Sequence, residues 1–203
     1  MAAPPPRGFE AEEHRDRTAR AQTLMAEFGI DVMLLTTEPE IRYFTGFLTP
    51  FWQSPTRPFF LVVPASGEPI AVVPSIAEAT MAATWLTDVR SWPSPRPTDE
   101  GLSTLLDALV EVGGQRASLG LPKGPETHVR MPIGDFRRLI DALPERWQTT
   151  DAGLLLCWLR LVKSPAEVAK IAHVCDTVSA VFDDLPEFLH AGVAEREAFR
   201  RLK

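Results

Sequence analysis

Two aliphatic, largely β-branched runs, Phe59 to Pro64 and Ile70 to Val73, are separated by the pair Ser66-Gly67. Nothing else in the chain narrows its fold as much. Side chains of this kind favour extended backbone and a Ser-Gly pair supplies a reversal, so the segment reads as two strands joined by a short turn. A hairpin alone cannot bury its apolar faces, so its neighbours must supply the remaining layers. Before it, Ala21, Leu24, Met25 and Phe28 recur at helical spacing and Gly29 closes the run, after which Ile30 to Thr36 reads as a buried strand. After it, Ser75 and Glu78 have the spacing of a capping box and predict a helix to about Trp85. Val89 to Trp92 follows as a short strand. Leu102, Leu105, Leu106 and Leu109 form a helical stripe ended by Gly113-Gly114, and Ala117 to Leu121 reads as a strand. Ile133, Phe136, Leu139, Ile140 and Leu143 form a second helical stripe, which Pro144 stops. Helices alternating with strands around one hairpin predict an α/β fold, a mixed β-sheet flanked by helices.

The character of the chain changes at Asp151. Leu154, Leu155, Leu156, Trp158 and Leu159 lead into Lys163-Ser164-Pro165-Ala166-Glu167, the clearest helix start in the sequence. Ser164 can cap, Pro165 is pre-set for the first helical position, and Glu167 completes the box and favours the positive end of the helix dipole. Val168, Ile171, Val174, Cys175, Val178, Val181, Phe182 and Leu185 then make an apolar face that needs a partner; dimerisation, folding back or poor solubility is expected without one. A further helix starts near Glu195. The expected organisation is a disordered Ala/Pro-rich tail over 1–8, an α/β domain over 9–150, and a linker helix with the opening of another domain over 151–203.

Composition excludes several classes. The chain has 203 residues, 45% of them hydrophobic and 24% charged, enough for a sizeable core. Its net charge of −6, from 27 acids and 21 bases mixed along the sequence, argues against a nucleic-acid footprint. The charged residues Glu10 to Arg20 stand where an export signal would need its apolar stretch, and no apolar run approaches the roughly 20 residues of a membrane span. A cytoplasmic protein without nucleic-acid or membrane partners is expected. Cys157 and Cys175 lie in apolar helical settings without paired spacing and read as buried free thiols. His14, His128, His173 and His190 are scattered and fit no ligand pattern, so no metal ligand and no catalytic residue is assigned.

Three segments together resemble a known family. Ile41-Arg42-Tyr43-Phe44-Thr45-Gly46-Phe47 is similar to the "N-I-x-Y-L-T-G-F" segment of creatinase, prolidase and Xaa-Pro aminopeptidase N-terminal domains. Leu159 to Glu167 resembles the "L-R-x-I-K-S-P-x-E" with which these proteins enter their catalytic domain, and Gly192 to Glu197 resembles a later "G-x-T-E-x-E". The order and spacing agree over nearly the whole chain. Ala194 departs from the usual capping Thr, and Ala172 stands where the family often has Arg. The resemblance implies a ribonuclease H-like N-terminal domain, followed by the first helices of a "pita-bread" domain that holds two divalent ions (Mn, Co or Zn) on two Asp, one His and two Glu. Those ligands are expected beyond Lys203, so this chain is expected to bind no metal and to be inactive alone. The resemblance also implies a homodimer acting on a small peptide or amino-acid-derived substrate. Creatinases, prolidases, Xaa-Pro aminopeptidases and ectoine hydrolases are all relatives, and some pita-bread relatives are non-catalytic binding or assembly modules.

One segment has site character. Leu48 to Pro58 contains three prolines, the adjacent aromatics Phe51 and Trp52, and a single cation, Arg57. Prolines reduce the ordering cost of a loop, aromatics form a desolvated wall, and a guanidinium fits a carboxylate with two parallel hydrogen bonds. The resemblance implies that this loop reaches toward the partner subunit's active site, where Arg57 would grip a substrate carboxylate between Phe51 and Trp52. The plainer reading is that the two aromatics pack on the sheet or a dimer surface and Arg57 makes a solvated ion pair. Tyr43 could donate a hydrogen bond at a site, though core packing is the simpler reading. Arg42 and Arg160 read as structural ion-pair partners, and Asp183-Asp184 as a solvated face.

Overall fold

The computed structural model describes residues 3–54 and 57–202; Met1 and Ala2 of the expected tail, Pro55 and Thr56 of the candidate loop, and Lys203 lie outside the described residues. Two compact units are present, one over Gly8–Leu161 and the other comprising Val162 onward with the N-terminal residues up to Arg7.

The first unit is a six-stranded sheet of strands β1 (Val32–Leu35), β2 (Phe60–Pro64), β3 (Ile70–Pro74), β4 (Asp88–Trp92), β5 (Ser118–Leu121) and β6 (Gln148–Asp151). Their order is β4-β3-β2-β1-β5-β6. The hairpin expected around Ser66-Gly67 forms, with Val62 opposite Ile70, and β2 also runs antiparallel to β1, with Leu35 opposite Leu61. All other pairings are parallel. The sheet is therefore mixed, as expected, and β2 alone reverses direction.

Helices cover both faces, and α1 (Ala11–Phe28), α2 (Glu38–Thr45), α3 (Ser75–Ala82), α4 (Leu102–Gly113), α5 (Ile133–Ala142) and α6 (Gly153–Leu161) supply them. The period-two alternation of β1 sorts the core: Met33 and Leu35 join Phe44, Phe47, Phe59 and Leu159 on one face, while Val32 and Leu34 join Phe60, Leu105, Leu109 and Leu139 on the other. Burying faces of this size is the main stabilising contribution, on the order of 25 cal/mol per Å² of apolar surface.

Several expectations need correcting. The first helix begins at Ala11 rather than Ala21, because its charged half has a buried stripe of its own, with His14, Arg17 and Thr18 at 3%, 2% and 4% exposure. Residues 38–45, to which the sequence reading assigns no element, form α2; Thr37 and Glu40 close a capping box and Pro39 sits in the first turn. The Ser75/Glu78 box does not form. Pro74 is the cap residue, Ser75 already lies inside α3, and Glu78 instead accepts a 2.7 Å hydrogen bond from Ser91 Oγ. β6 was not expected: its Gln-Thr-Thr-Asp sequence has no apolar residue because it is an exposed edge strand. Both cysteines are free but exposed, since Cys157 points away from the buried stripe of α6 and Cys175 lies on a helix with no buried residue.

The second unit consists of α7 (Pro165–Phe188) and α8 (Glu195–Leu202). Its expected helix start is realised: Ser164 Oγ accepts from Glu167 N at 3.1 Å, and Ser164 N donates to Glu167 Oε2 at 2.8 Å. Pro6 O accepts a hydrogen bond from Lys170 Nζ. The apolar face of α7 is exposed, with Phe182 at 64% and Val174 at 59%. No described helix is long and apolar enough to cross a membrane.

Candidate functional site

β1 and β5 run parallel on either side of the position where chain connections diverge, and the carboxyl ends of such strands commonly meet ligands. The candidate loop lies at this end of the sheet, entering β2 beside the exit of β1. It leaves α2 through Gly46, whose φ of +76° is in the left-handed region; a Cβ there would come within 3.0 Å of His14 Nε2. Gly46 thus lets α2 stop against α1. Pro50–Gln53 then form one 3-10 turn, capped by Thr49 Oγ1, which accepts from Phe51 N at 3.3 Å.

The turn separates the two aromatics. Trp52 faces inward at 8% exposure, with its ring centroid 4.7 Å from that of Phe59 and 6.0 Å from that of Phe47. Phe51 is 36% exposed. Trp52 Nε1 is, among the described residues, a buried donor without a partner, which costs about 1–3 kcal/mol if nothing binds it. Arg57 is half-buried with a backbone φ of +67°, in a region that side chains other than glycine rarely adopt. Among the described residues its guanidinium has no hydrogen-bond or ion-pair partner. The solvated ion pair of the plainer reading is therefore not seen there, while Trp52 packs against the aromatic core.

Arg130, which carries no local sequence signal, completes the arrangement. Its guanidinium donates to the carbonyls of Trp52 and Arg57, each at 3.4 Å, and to that of Ser54. It also lies 5.5 Å above the Trp52 ring. Its backbone N donates to Thr36 Oγ1 at 2.7 Å, joining it to the end of β1. Burial pushes this guanidinium below its ordinary pKa range. These partners are 73 to 94 residues away in sequence, so only the fold could reveal them.

Beneath the loop, α1 and α2 share a polar hub. His14 Nδ1 lies 3.0 Å from Tyr43 O, which can only accept, so Nδ1 carries the hydrogen. Arg17 Nη1 donates to the same carbonyl at 2.9 Å, its guanidinium sits 4.1 Å from the Phe9 ring centroid and 4.3 Å from that of Tyr43, and its Nε pairs with Glu13. Desolvation holds the His14 pKa below its ordinary value, with Arg17 reinforcing the shift and the Tyr43 carbonyl and Glu13 opposing it. Tyr43 is 9% exposed and its hydroxyl donates to Leu159 O at 3.4 Å. Arg42 and the Asp183-Asp184 pair are exposed, and Arg160 lies 6.0 Å from the Tyr43 ring centroid.

Further along the same edge, Asp151 Oδ1 accepts from the backbone N of Lys123, Gly124 and Gly153 at 3.2, 3.0 and 2.9 Å. These bonds hold its carboxyl below the usual range, the Gly153 amide most strongly. A separate groove of about 330 Å³ between α4 and α5 is lined by Leu102, Leu106 and Leu139, with Asp99 and Arg138 at its polar rim. Among the described residues no three His, Cys, Asp or Glu side chains gather to hold a metal ion. The residues described here do not form the two-ion site that the resemblance implies.

The model of the creatinase/prolidase N-terminal domain matches residues 17–162. No curated protein sequence matches the chain significantly. Among solved structures, a dipeptidase, PepE, from Mycobacterium ulcerans is similar with a TM-score of 0.76 at 25% identity, over 96% of this chain and 49% of that one. A prolidase from Thermococcus sibiricus aligns with a TM-score of 0.74 at 20% identity, covering 93% of this chain and 48% of its own. A proline dipeptidase structure from Streptococcus pneumoniae aligns with a TM-score of 0.57 at 17% identity, over 72% of this chain and 98% of its own. The chain thus spans about half the length of the first two.

Proposed function

The chain belongs to the creatinase/prolidase N-terminal domain family, and from that premise we propose that it is the substrate-access and dimerisation portion of a cytoplasmic, metal-dependent hydrolase of the Xaa-Pro peptidase and creatinase class. In this reading the metal ions and the bond-breaking step belong to a catalytic domain, and the chain by itself is inactive. Its contribution is the 50–58 loop, offered across a homodimer to a small peptide or amino-acid-derived substrate. The observation that carries the reading is Arg57: a half-buried guanidinium without a partner among the described residues, in an unusual backbone conformation.

A carboxylate is the natural complement of that group, since a planar fork and a planar anion form two parallel charge-assisted hydrogen bonds. The partial burial of Arg57 lowers the local dielectric and strengthens the pair. Two experiments test the proposal. The 203-residue chain, incubated with Mn²⁺, Co²⁺ or Zn²⁺ and a panel of Xaa-Pro dipeptides and creatine, is expected to show no turnover above a metal blank; turnover would overturn its catalytic incompleteness. In the full-length protein the same panel should identify a substrate, and Arg57→Ala should raise KM roughly tenfold, the cost of one charge-assisted contact. An unchanged KM and kcat rejects the substrate role, and no hydrolysis by the full-length protein points to a binding or assembly module.

A further inference from the structure

Arg130 holds three carbonyls of one loop, and no carboxylate among the described residues pairs with it. A partly buried guanidinium without a counter-ion is costly unless its N–H groups are met by well-placed acceptors. Here the acceptors are the carbonyls of Trp52 and Ser54 on one side of residues 55–56 and that of Arg57 on the other, so both arms of the loop turn their carbonyls toward one cation. The base of the side chain is fixed as well, through Arg130 N to Thr36 Oγ1, and Thr36 is fully buried at the end of β1. The loop is thus referenced to the central strand by a single residue.

We propose that Arg130 is a positioning residue that sets the conformation of residues 50–54 and 57–58, and through it the presentation of Phe51 and Arg57; the second half of this inference rests on the substrate role proposed above. Arginine suits the task because its five donors spread in a plane and can serve several acceptors at once, whereas a lysine ammonium is a compact point charge that cannot span them. The energetic role is preorganisation: a loop held in its binding shape loses less conformational freedom when a ligand arrives. Arg130 has no place in bond breaking. Its loss is expected to weaken binding and leave turnover little changed.

Hydrogen exchange on the 203-residue chain tests the brace directly. In Arg130→Met, amides of residues 49, 51–54, 57 and 59 should exchange at least about tenfold faster than in the parent, while those of β1 and β2 stay protected. Arg130→Lys should show most of the same acceleration, and Arg130→Gly should regain protection when millimolar guanidinium occupies the vacated position. Unaltered loop exchange in Arg130→Met overturns the proposal, and so does loss of sheet protection in both Arg130→Met and Arg130→Lys, which would make Arg130 a residue of the general fold. In the full-length enzyme, Arg130→Lys should raise KM roughly tenfold with kcat within about twofold. A loosened loop with an unaltered KM would keep the brace and remove the loop from the substrate, so the two claims fail separately.

Discussion

The two faces of the sheet are built differently. Against one lie α4 and α5 with Leu105, Leu109, Leu139 and the alternate residues of β1 and β2, a largely apolar core at which the indoles of Trp92 and Trp147 donate to Glu100 and to Gly114 O. Against the other lie α1, α2, α3 and α6, and there the apolar packing coexists with buried His14, Arg17, Thr18, Thr37 and Thr45. The candidate loop grows out of this second face through Phe47 and Trp52. A purely apolar face tolerates changes of shape within its volume, whereas a polar hub must keep each donor matched to an acceptor. The face that carries the loop is therefore the more exacting of the two.

Substitution can break this comparison. The largest effect is expected for Phe44→Ala, which empties the middle of the exacting face and should lower the unfolding free energy in denaturant titration by about 3–5 kcal/mol. Leu105→Ala on the other face should cost about 2–5 kcal/mol, and only Phe44→Ala should also alter the near-ultraviolet circular dichroism of the loop's aromatic cluster. Equal spectral changes in both variants would mean that the faces are not separate in this respect.

A smaller effect is expected from pH. His14 is held below its ordinary pKa, so the folded state binds fewer protons than the unfolded state in the window between the two values. Stability from this residue is complete above about pH 6.5, the unfolded value, and is lost as the pH falls through the lower folded value. Melting temperatures recorded across that window should fall more steeply for the parent than for His14→Gln; parallel curves would remove His14 as the cause. The smallest effect is expected outside both faces. Ser164→Ala removes the cap of α7 and should cost about 1 kcal/mol, read as lost helicity by far-ultraviolet circular dichroism with little change in sheet stability.

How much of this could be read beforehand depended on how local each signal is. The Ser66-Gly67 hairpin, the Leu stripe of α4 and the Ser164 cap are specified by residues within a few positions of one another, and all three are present. β6 was missed because an exposed edge strand needs no apolar residue, and the first half of α1 because its buried residues are polar and satisfied by α2. Thr37-x-x-Glu40 is a local signal for α2 that the sequence reading did not use. Composition singles out Phe51, Trp52 and Arg57 as candidates only, and Arg130 not at all, since its contacts are with acceptors more than 70 residues distant.

Asp151 has a wider consequence. Three amides converging on one oxygen make a cradle of the kind that captures phosphates and carboxylates, and here the chain fills it with a carboxylate of its own. The amide cradle on the β5–β6 side of the strand ends is thereby occupied before any solute arrives. The β1–β2 side, where Arg57 has no acceptor among the described residues, keeps its positive charge unanswered. The same rim thus ends in a filled amide cradle on one side and, on the other, in a guanidinium without an acceptor among the described residues.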